Sequence, residues 1–225
     1  MKRQLRILDL FSCAGGAAMG YHQAGFEVVG VDINPQPRYP FEHHVGDAIA
    51  FALAHGSEFD AIHASPPCQG EGAPAKGTNP ARGHVHPRLI TPTRTALDSL
   101  GVPYVIENVA GSTVRKDLML CGEMFGLGVL QHRYFELSGT HIPQPVHPRH
   151  RGRVRGWRHG VFYDGPYVAA YGNGGGKATI AEMQQAKGIT WTDDHRELRE
   201  AIPPACTEWI GTHLVAALTG REAAA

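Results

Sequence analysis

The sequence predicts an α/β fold in which a mostly parallel sheet has helices on both faces. Short apolar runs alternate with segments of helical character through the first half of the chain, and this alternation is typical of a parallel sheet covered by helices. The 225 residues suffice for one domain with a substantial core. Because ligands of such sheets bind at the carboxyl ends of the strands, we expect the functional residues there.

The individual elements follow from apolar runs and from local start signals. Strands are predicted at the apolar runs 5–11, 27–33, 59–65 and 103–109. Helices are predicted after the first strand, at 48–55 and at 91–100. Three more helices are predicted near the C-terminus, where Asp194 and Glu197 have the spacing of a capping box and Pro204 suits a first helical turn.

Composition limits the partners and the compartment. Basic and acidic residues both total 21, so any nucleic acid must be met by a local patch rather than by the charge of the whole chain. The N-terminal apolar run is short and reaches Asp9, so neither a signal peptide nor a membrane span is expected. The four cysteines form no C-x-x-C pair, which argues against a zinc ribbon and a disulfide framework. We expect a cytoplasmic monomer with reduced thiols and no membrane partner.

The first strand-to-helix turn, "DLFSCAGGAAMG", is rich in glycine, and Asp32 ends the next strand. Glycines allow a ligand to approach the backbone closely, and a carboxylate can accept the ribose hydroxyls of a nucleoside-bearing cofactor. The spacing is not G-x-G-x-x-G, and the alternative is that the glycines only permit a tight turn. Asp47 in "VGDA" is a second acidic candidate, with a plain helix N-cap as its alternative.

Cys68 stands in "SPPCQG", directly after two prolines that restrict the backbone. It is either a small buried hydrophobe or a thiolate nucleophile at a strand end. The Gly/Pro-rich stretch 70–87 that follows is long enough to serve as a lid. Glu107 favours the nucleophile, because burial at the end of an apolar strand raises the affinity of a carboxylate for a proton shared with a bound base. These residues suggest addition of a thiol to an electron-poor ring.

A basic segment at 147–159, "HPRHRGRVRGWRH", places arginines at alternating positions beside a tryptophan. Such a segment can grip the phosphates of DNA, and the alternative is a solvated basic loop. Its candidate DNA-binding residues are Arg149, Arg151, Arg153 and Arg155. The histidine pairs at 43–44 and 84/86 are interpreted as solvated loop residues, because no cysteine or carboxylate with ligand spacing accompanies them. We therefore predict no metal site.

Taken together, these motifs resemble the DNA (cytosine-5)-methyltransferases, in a short form of bacterial or phage type. The resemblance rests on "DLFSCAGGAAMGYHQAGF", "VVGVDINP", "VGDA", "SPPCQG", "PYVIENV" and "QHRYFE", which occur in the family's order and cover nearly the whole chain. It implies a Rossmann-like S-adenosylmethionine-dependent methyltransferase fold with a very short target-recognition insertion. We accordingly expect a catalytic core at 1–138, a basic DNA-contacting insertion at 139–175, and C-terminal helices at 176–225 that complete the catalytic domain.

The resemblance also implies the cofactor and the residues of the site. S-adenosylmethionine would be the methyl donor and S-adenosylhomocysteine the product. The residues implied to surround the cofactor are Phe11, Ser12, Cys13, Ala14, Gly15, Gly16, Asp32, Ile33, Asp47, Ala48 and Pro66. The implied catalytic residues are Cys68, Glu107 and Arg133. The residues implied to contact the target base or the DNA are Ser65, Gln69 and Asn108, together with the four arginines.

In the implied reaction Cys68 adds to C6 of a cytosine flipped out of double-stranded DNA, Glu107 supports a proton at N3, and C5 accepts the methyl group. Phe135 stands at the second arginine of the family's Q-x-R-x-R pattern, so Arg133 or another residue must contact the base's carbonyl oxygen. Arg199 and Glu200 replace the family's usual Gly-Asn.

The short insertion predicts a short or relaxed recognition sequence. Two alternatives stay open: the same chemistry on RNA or a free cytosine nucleotide, and a protein that binds cofactor or DNA without turnover.

Overall fold

The strands of the main sheet run through most of the chain in the computed structural model, which describes residues 3–70, 87–170 and 178–220. In chain order they are β1 (Arg6–Leu10), β2 (Glu27–Asp32), β3 (Glu42–Val45), β4 (Ala61–Ala64), β5 (Tyr104–Asn108), β6 (Leu118–Cys121) and β7 (His132–Ser138). A separate hairpin is formed by β8 (Gly156–Arg158) and β9 (Val161–Tyr163). Of the lid expected at 70–87, residues 71–86 lie outside the described residues.

The sheet has the strand order β3-β2-β1-β4-β5-β7-β6. The first five strands in this order are parallel, whereas β7 is antiparallel to both of its neighbours. All four strands predicted from apolar runs are present, with ends within two residues of the expected ones. The predicted α/β fold with a mostly parallel sheet is therefore confirmed.

Helices cover both faces of the sheet. They are α1 (Gly16–Gln23), α2 (Ala48–His55), α3 (Ile90–Asp98), α4 (Ile180–Lys187), α5 (His195–Glu200) and α6 (Pro204–Thr219). Because side chains alternate along a strand, β1 and β2 contribute to two apolar clusters. One cluster includes side chains of α1 and α6, and the other includes side chains of α2 and α3.

Helices α1 and α6 pack closely at Gly20. A Cβ atom there would lie 2.1 Å from the carbonyl oxygen of Pro204, so only glycine allows this approach. Pro204 begins α6 as predicted. Asp194 caps α5 by accepting hydrogen bonds from the backbone N–H groups of Arg196 and Glu197 at 2.8 and 3.0 Å. The C-terminal helices thus pack directly on the helix that follows β1.

Five of the described strands were not predicted, namely β3, β6 and β7 of the main sheet and β8 and β9 of the hairpin. His43 and His44 lie in the edge strand β3 rather than in a loop, which corrects the interpretation from sequence. Strand β7 contains Glu136, whose buried carboxylate accepts hydrogen bonds from Arg94 at 2.6 Å and from Arg115 at 2.9 Å. Buried acids need such partners, so this pair of arginines stabilises β7 between β5 and β6.

The chain leaves the sheet after β7 and has neither helix nor strand from 139 to 155. The hairpin and an apolar cluster containing side chains of α4 and α5 follow. The insertion boundaries of 139 and 175 stay a prediction, and residues 171–177 lie outside the described ranges. Among the described residues, no helix combines the length and the apolar character needed to cross a bilayer.

Candidate active site

The carboxyl ends of β1, β2, β4 and β5 surround one cavity of about 790 Å³. It is lined by most of the residues that the sequence analysis selected for the cofactor and the reaction. These are Phe11, Ser12, Cys13, Ala14, Gly16, Asp32, Ile33, Ser65, Pro66, Cys68, Gln69, Glu107, Asn108 and Arg133. Residue 133 joins them because β7 is antiparallel, so that its first residues lie at the same edge of the sheet as the ends of the parallel strands.

The turn after β1 has an unusual backbone. Phe11 and Cys13 have φ angles of 58° and 44°, in the left-handed region that non-glycine residues rarely adopt, and Gly15 follows at 80°. Asp32 holds this turn, because its carboxylate accepts hydrogen bonds from the backbone N–H groups of Cys13 at 3.1 Å and Asn34 at 2.9 Å. The strain is concentrated where the turn meets the cavity, as is common at binding sites.

Asp9 is an acidic residue of the cavity that sequence reasoning missed. It is only 1% exposed, and burial raises the pKa of its carboxyl well above the usual range. The Tyr39 hydroxyl donates to Oδ2 at 3.2 Å, but Oδ1 has no hydrogen-bond partner among the described residues, and neither has the hydroxyl of Ser12. The signal for Asp9 was a charged residue inside an apolar strand.

Three of the expected cofactor residues do not line the cavity, namely Gly15, Asp47 and Ala48. Asp47 acts as the N-cap of α2 and accepts a hydrogen bond from the backbone N–H of Ala50 at 2.8 Å. A Cβ atom on Gly15 would lie 2.9 Å from Pro40 Cδ, so this glycine serves the tight turn itself. Asp47 therefore has the geometry of a helix N-cap, which was its alternative from sequence. Gly15 has the geometry of a tight turn, which was the alternative for the glycines.

Asn108 ties the end of β5 to the proline pair before Cys68. Its side-chain N–H donates to the carbonyl oxygen of Pro66 at 2.8 Å, and its carbonyl oxygen accepts from the backbone N–H of Val109 at 3.0 Å. Cys68 is half-buried and begins a short 3₁₀ turn, Cys68–Gly70, at the cavity. The prolines and the Asn108 amide together fix the backbone that carries the sulfur.

Glu107 and Arg133 form an ion pair beside Cys68. Glu107 is 4% exposed, and Arg133 Nη1 lies 3.2 Å from its Oε1 atom. Burial raises the pKa of Glu107, and the charge of Arg133 opposes this rise without cancelling it. Oε1 has no hydrogen-bond partner among the described residues. Phe135 pairs with Glu107 across the strands and is fully buried in the core, so it is not positioned as a polar contact for a ligand.

A chain of buried hydrogen bonds reaches Glu107 from the sheet. Burial lowers the pKa of His63 to about 3 and raises that of Tyr21, so both groups are neutral. The Tyr21 hydroxyl and His63 Nδ1 are hydrogen-bonded at 2.9 Å, and His63 Nε2 and Ser65 Oγ at 2.8 Å; the donor in each pair depends on the tautomer of the imidazole. The tautomer with its proton on Nε2 leaves the Ser65 hydroxyl available to donate to the Glu107 carboxyl, an interaction that lowers the pKa of this carboxyl.

The C-terminal segment closes one side of the cavity. Trp191 donates its indole N–H to the carbonyl oxygen of Ala14 at 2.7 Å, which joins this segment to the turn after β1. Arg196 and Glu200 line the cavity and form an ion pair at 3.1 Å. Sequence reasoning noted Glu200 only as a departure from a motif, and nothing in the sequence pointed to Trp191.

The four arginines of the basic segment have different surroundings. Arg151 forms an ion pair with the buried Glu123 at 2.8 Å, and Arg155 forms one with Glu182. The guanidinium of Arg153 lies over the ring of Tyr163, 5.4 Å from its centroid, and Arg149 is exposed. Two of the four side chains are thus engaged by carboxylates of the same chain.

The charge of Arg133 predicts a measurable effect on the Cys68 thiol. Burial raises the pKa of Cys68, and Arg133 is the strongest influence that lowers it. We expect the Arg133→Gln variant to react several-fold more slowly at Cys68 with iodoacetamide at a fixed pH, because a smaller fraction is thiolate. The rate is followed by mass spectrometry of the Cys68 peptide. Lys116→Gln, which removes an exposed positive charge elsewhere, is the control, and equal rates in all three proteins would contradict the prediction.

Comparisons with known proteins find solved methyltransferases that share the fold of this chain. No model of a known protein family matches the chain, and no curated protein sequence matches it. A prophage-encoded protein of E. coli, assigned as a DNA modification methyltransferase, superposes with a TM-score of 0.63 at 14% identity. The Entamoeba histolytica methyltransferase EhMeth gives 0.61 at 12%, and the S. pombe Dnmt2 methyltransferase gives 0.55 at 14%. Each superposition covers 96% of this chain and 99% of the other.

At identities of 12–14% these likenesses concern the fold. In this chain one antiparallel strand, β7, is inserted near the edge of a parallel sheet. The fold implied by the sequence motifs is therefore confirmed. The chain has the Rossmann-like fold of S-adenosylmethionine-dependent methyltransferases.

Proposed function

We propose that this protein transfers a methyl group from S-adenosylmethionine to C5 of cytosine in double-stranded DNA, through a covalent bond between Cys68 and C6. The observation that carries the proposal is the position of Cys68 in one cavity with a buried Glu107 and with the strained turn after β1. A thiol, a buried carboxyl with a raised pKa and a nucleoside-sized cavity are the features that this reaction needs.

The residues present fit the cofactor. Asp9 Oδ1 and the Ser12 hydroxyl are buried at the cavity without hydrogen-bond partners among the described residues, so a polar ligand there would satisfy both. The Asp32 carboxylate uses part of its capacity on two backbone N–H groups and can still accept ribose hydroxyls. These groups and the turn at 11–16 would hold S-adenosylmethionine, which supplies an electrophilic methyl group on a sulfonium.

The reaction itself is then carried by Cys68 and Glu107. The Cys68 thiolate forms a bond to C6 while the Glu107 carboxyl holds a proton at N3, and the electron pair of the C5–C6 double bond becomes available at C5. After C5 has accepted the methyl group, a water molecule takes the C5 proton, the thiolate leaves and the proton at N3 returns to Glu107, which restores the aromatic ring. S-adenosylhomocysteine is the second product.

The surroundings of Glu107 support this role. Burial raises the pKa of the carboxyl, and this rise exceeds the lowering by the Arg133 charge and by the hydrogen bond with Ser65. The Glu107 Oε1 atom, which has no hydrogen-bond partner in the described part of the chain, can contact a base. Arg133 lies beside the same oxygen and is the remaining candidate for the base's carbonyl oxygen, because Phe135 is buried in the core.

DNA is proposed as the acceptor because the chain carries the arginine-rich segment 147–159, which suits phosphate contacts; a target cytosine would have to leave the stack for C6 to be reached. Arg149 and Arg153 are the candidates for phosphate contacts, since Arg151 and Arg155 are paired with carboxylates. We further propose that the protein acts as a monomer in the cytoplasm, which agrees with its four unpaired cysteines.

The proposal is tested by incubating the protein with S-adenosylmethionine labelled on the methyl group and with duplex DNA, RNA or dCMP. We expect label in DNA, and digestion to nucleosides should place it on 5-methylcytosine. Label only in RNA or dCMP would show that the acceptor is wrong while the chemistry is right. Binding of cofactor without label in any of the three would favour a protein without turnover.

A further inference from the structure

Four potential metal ligands lie close together outside the cavity, at the end of the β6–β7 pair. Cys121 ends β6, His132 begins β7, and His147 and His150 belong to the segment that follows the sheet. One ligand atom from each of the four residues lies within 4.8 Å of all the others. Cys121 is buried and the three histidines are half-buried, so the cluster is part of the packed structure rather than a chance surface group.

The distances within the cluster agree with tetrahedral zinc. The Nε2 atom of His147 lies 3.2 Å from Nε2 of His132 and 3.2 Å from Nε2 of His150, and Cys121 Sγ lies 3.7 Å from Nε2 of His150. Zinc binds imidazole nitrogen at about 2.0–2.1 Å and thiolate sulfur at about 2.3 Å, so tetrahedral angles separate two nitrogens by about 3.3 Å and a nitrogen from a sulfur by about 3.6 Å.

Hydrogen bonding alone does not explain this arrangement. A neutral imidazole nitrogen either carries a proton or accepts one, so His147 Nε2 can form a hydrogen bond with only one of its two histidine neighbours. The second neighbour would have to share the same proton or lone pair, or would face a group of its own kind. A cation at the centre accepts the lone pair of every nitrogen, and it also favours the thiolate of Cys121.

We propose that Cys121, His132, His147 and His150 bind one Zn²⁺ ion in a closed tetrahedral site. Zinc is the metal that a combination of one thiolate and three imidazoles in this geometry favours. Because the protein supplies all four ligands, no position is left for a substrate, and the role of the ion is structural. This proposal replaces the expectation from the sequence that no metal is bound.

The ion would join the insertion to the sheet. His147 and His150 are in a stretch that has neither helix nor strand, and its other link to β6 is Gln144, which accepts from Met119 N–H at 2.9 Å and donates to its carbonyl oxygen at 2.7 Å. The exposed Arg149 lies between two of the ligands in sequence. Zinc would thereby fix the start of the basic segment relative to β7.

The test measures zinc in the complete chain, purified without a histidine tag and dialysed against metal-free buffer. We expect about one zinc per chain by plasma mass spectrometry. Cys121→Ser and His147→Ala should each lose most of it, whereas His141→Ala, which removes an exposed histidine from the same segment, should retain it. The readout does not depend on methyl transfer, so its failure would be distinct from failure of the proposed function.

Cobalt gives a second readout that does not require a variant to fold. The wild-type protein loaded with Co²⁺ should show the intense visible bands of tetrahedral cobalt and a near-ultraviolet charge-transfer band from the cysteine sulfur. The proposal is overturned if the wild-type chain neither contains nor takes up zinc, if the cobalt protein shows a weak octahedral spectrum without the sulfur band, or if His141→Ala loses zinc as fully as the ligand variants.

Discussion

We expect the Cys68→Ser variant to lose methyl transfer to duplex DNA by on the order of 10³-fold or more. A serine hydroxyl is too weakly acidic to provide an anion beside Glu107, so the bond to C6 does not form and C5 remains a poor nucleophile. The substitution changes a single atom at a half-buried position, and the Asn108–Pro66 hydrogen bond that holds the backbone remains. The fold and the cofactor cavity should therefore be intact.

The measurement combines initial rates with S-adenosylhomocysteine affinity from calorimetry. Cys68→Ser should keep the wild-type affinity for S-adenosylhomocysteine. Asp32→Ala should weaken this affinity, because the turn at 11–16 loses the carboxylate that holds its backbone. Cys206→Ala, which alters a buried cysteine in α6, is the control for both rate and affinity.

A covalent trap provides the strictest test of the same step. In a duplex containing 5-fluorocytosine the C5 position carries no proton that can be removed, so the thiolate cannot leave after methylation. The wild-type chain should form an adduct that maps to Cys68 by mass spectrometry, and Cys68→Ser should form none. Near-normal turnover by Cys68→Ser would require the covalent scheme to be abandoned.

Most of the residues that line the cavity could be predicted from sequence because they lie at or near the carboxyl ends of parallel strands. In such a sheet the residue after each strand reaches the same edge, so Asp32, Cys68 and Glu107 could be grouped before any coordinates were known. The local signals were also strong, since each of these residues follows a short apolar run. No knowledge of distant contacts was needed.

Other parts of the site depend on contacts that leave no local pattern. The hydrogen bond from Trp191 to Ala14 joins residues 177 positions apart, and either residue alone resembles an ordinary core or turn residue. The proposed zinc ligands also left no local pattern, because Cys121 and His132 come together through the antiparallel pairing of β6 and β7. That pairing was not predicted, and the ligands therefore lacked a recognisable spacing.

The second large effect is expected at Glu107. Glu107→Gln should reduce methyl transfer on the order of 10² to 10⁴-fold, because the amide has the size of the acid but cannot hold a proton that it shares with N3. The carboxyl is buried, so replacing it by a neutral group of equal shape removes the ion pair with Arg133 without opening a cavity. Glu208→Gln, which changes an exposed carboxyl on α6, is the matched control.

The pH dependence distinguishes loss of this proton from a general defect. The reactive form has Glu107 protonated and Cys68 ionised, and burial raises the pKa of both groups. Since the carboxyl is still the stronger acid, single-turnover methyl transfer by the wild type should rise with pH up to the pKa of Glu107. It should then remain level up to the pKa of Cys68 and fall above it.

In Glu107→Gln only the thiol titrates, so the rate should increase steadily with pH until Cys68 is ionised, with no level region below that point and no fall above it. A variant that is slower than the wild type but keeps the wild-type profile would mean that Glu107 supports the site's structure and does not hold the proton. The profile therefore tests the role of Glu107 separately from the size of the rate loss.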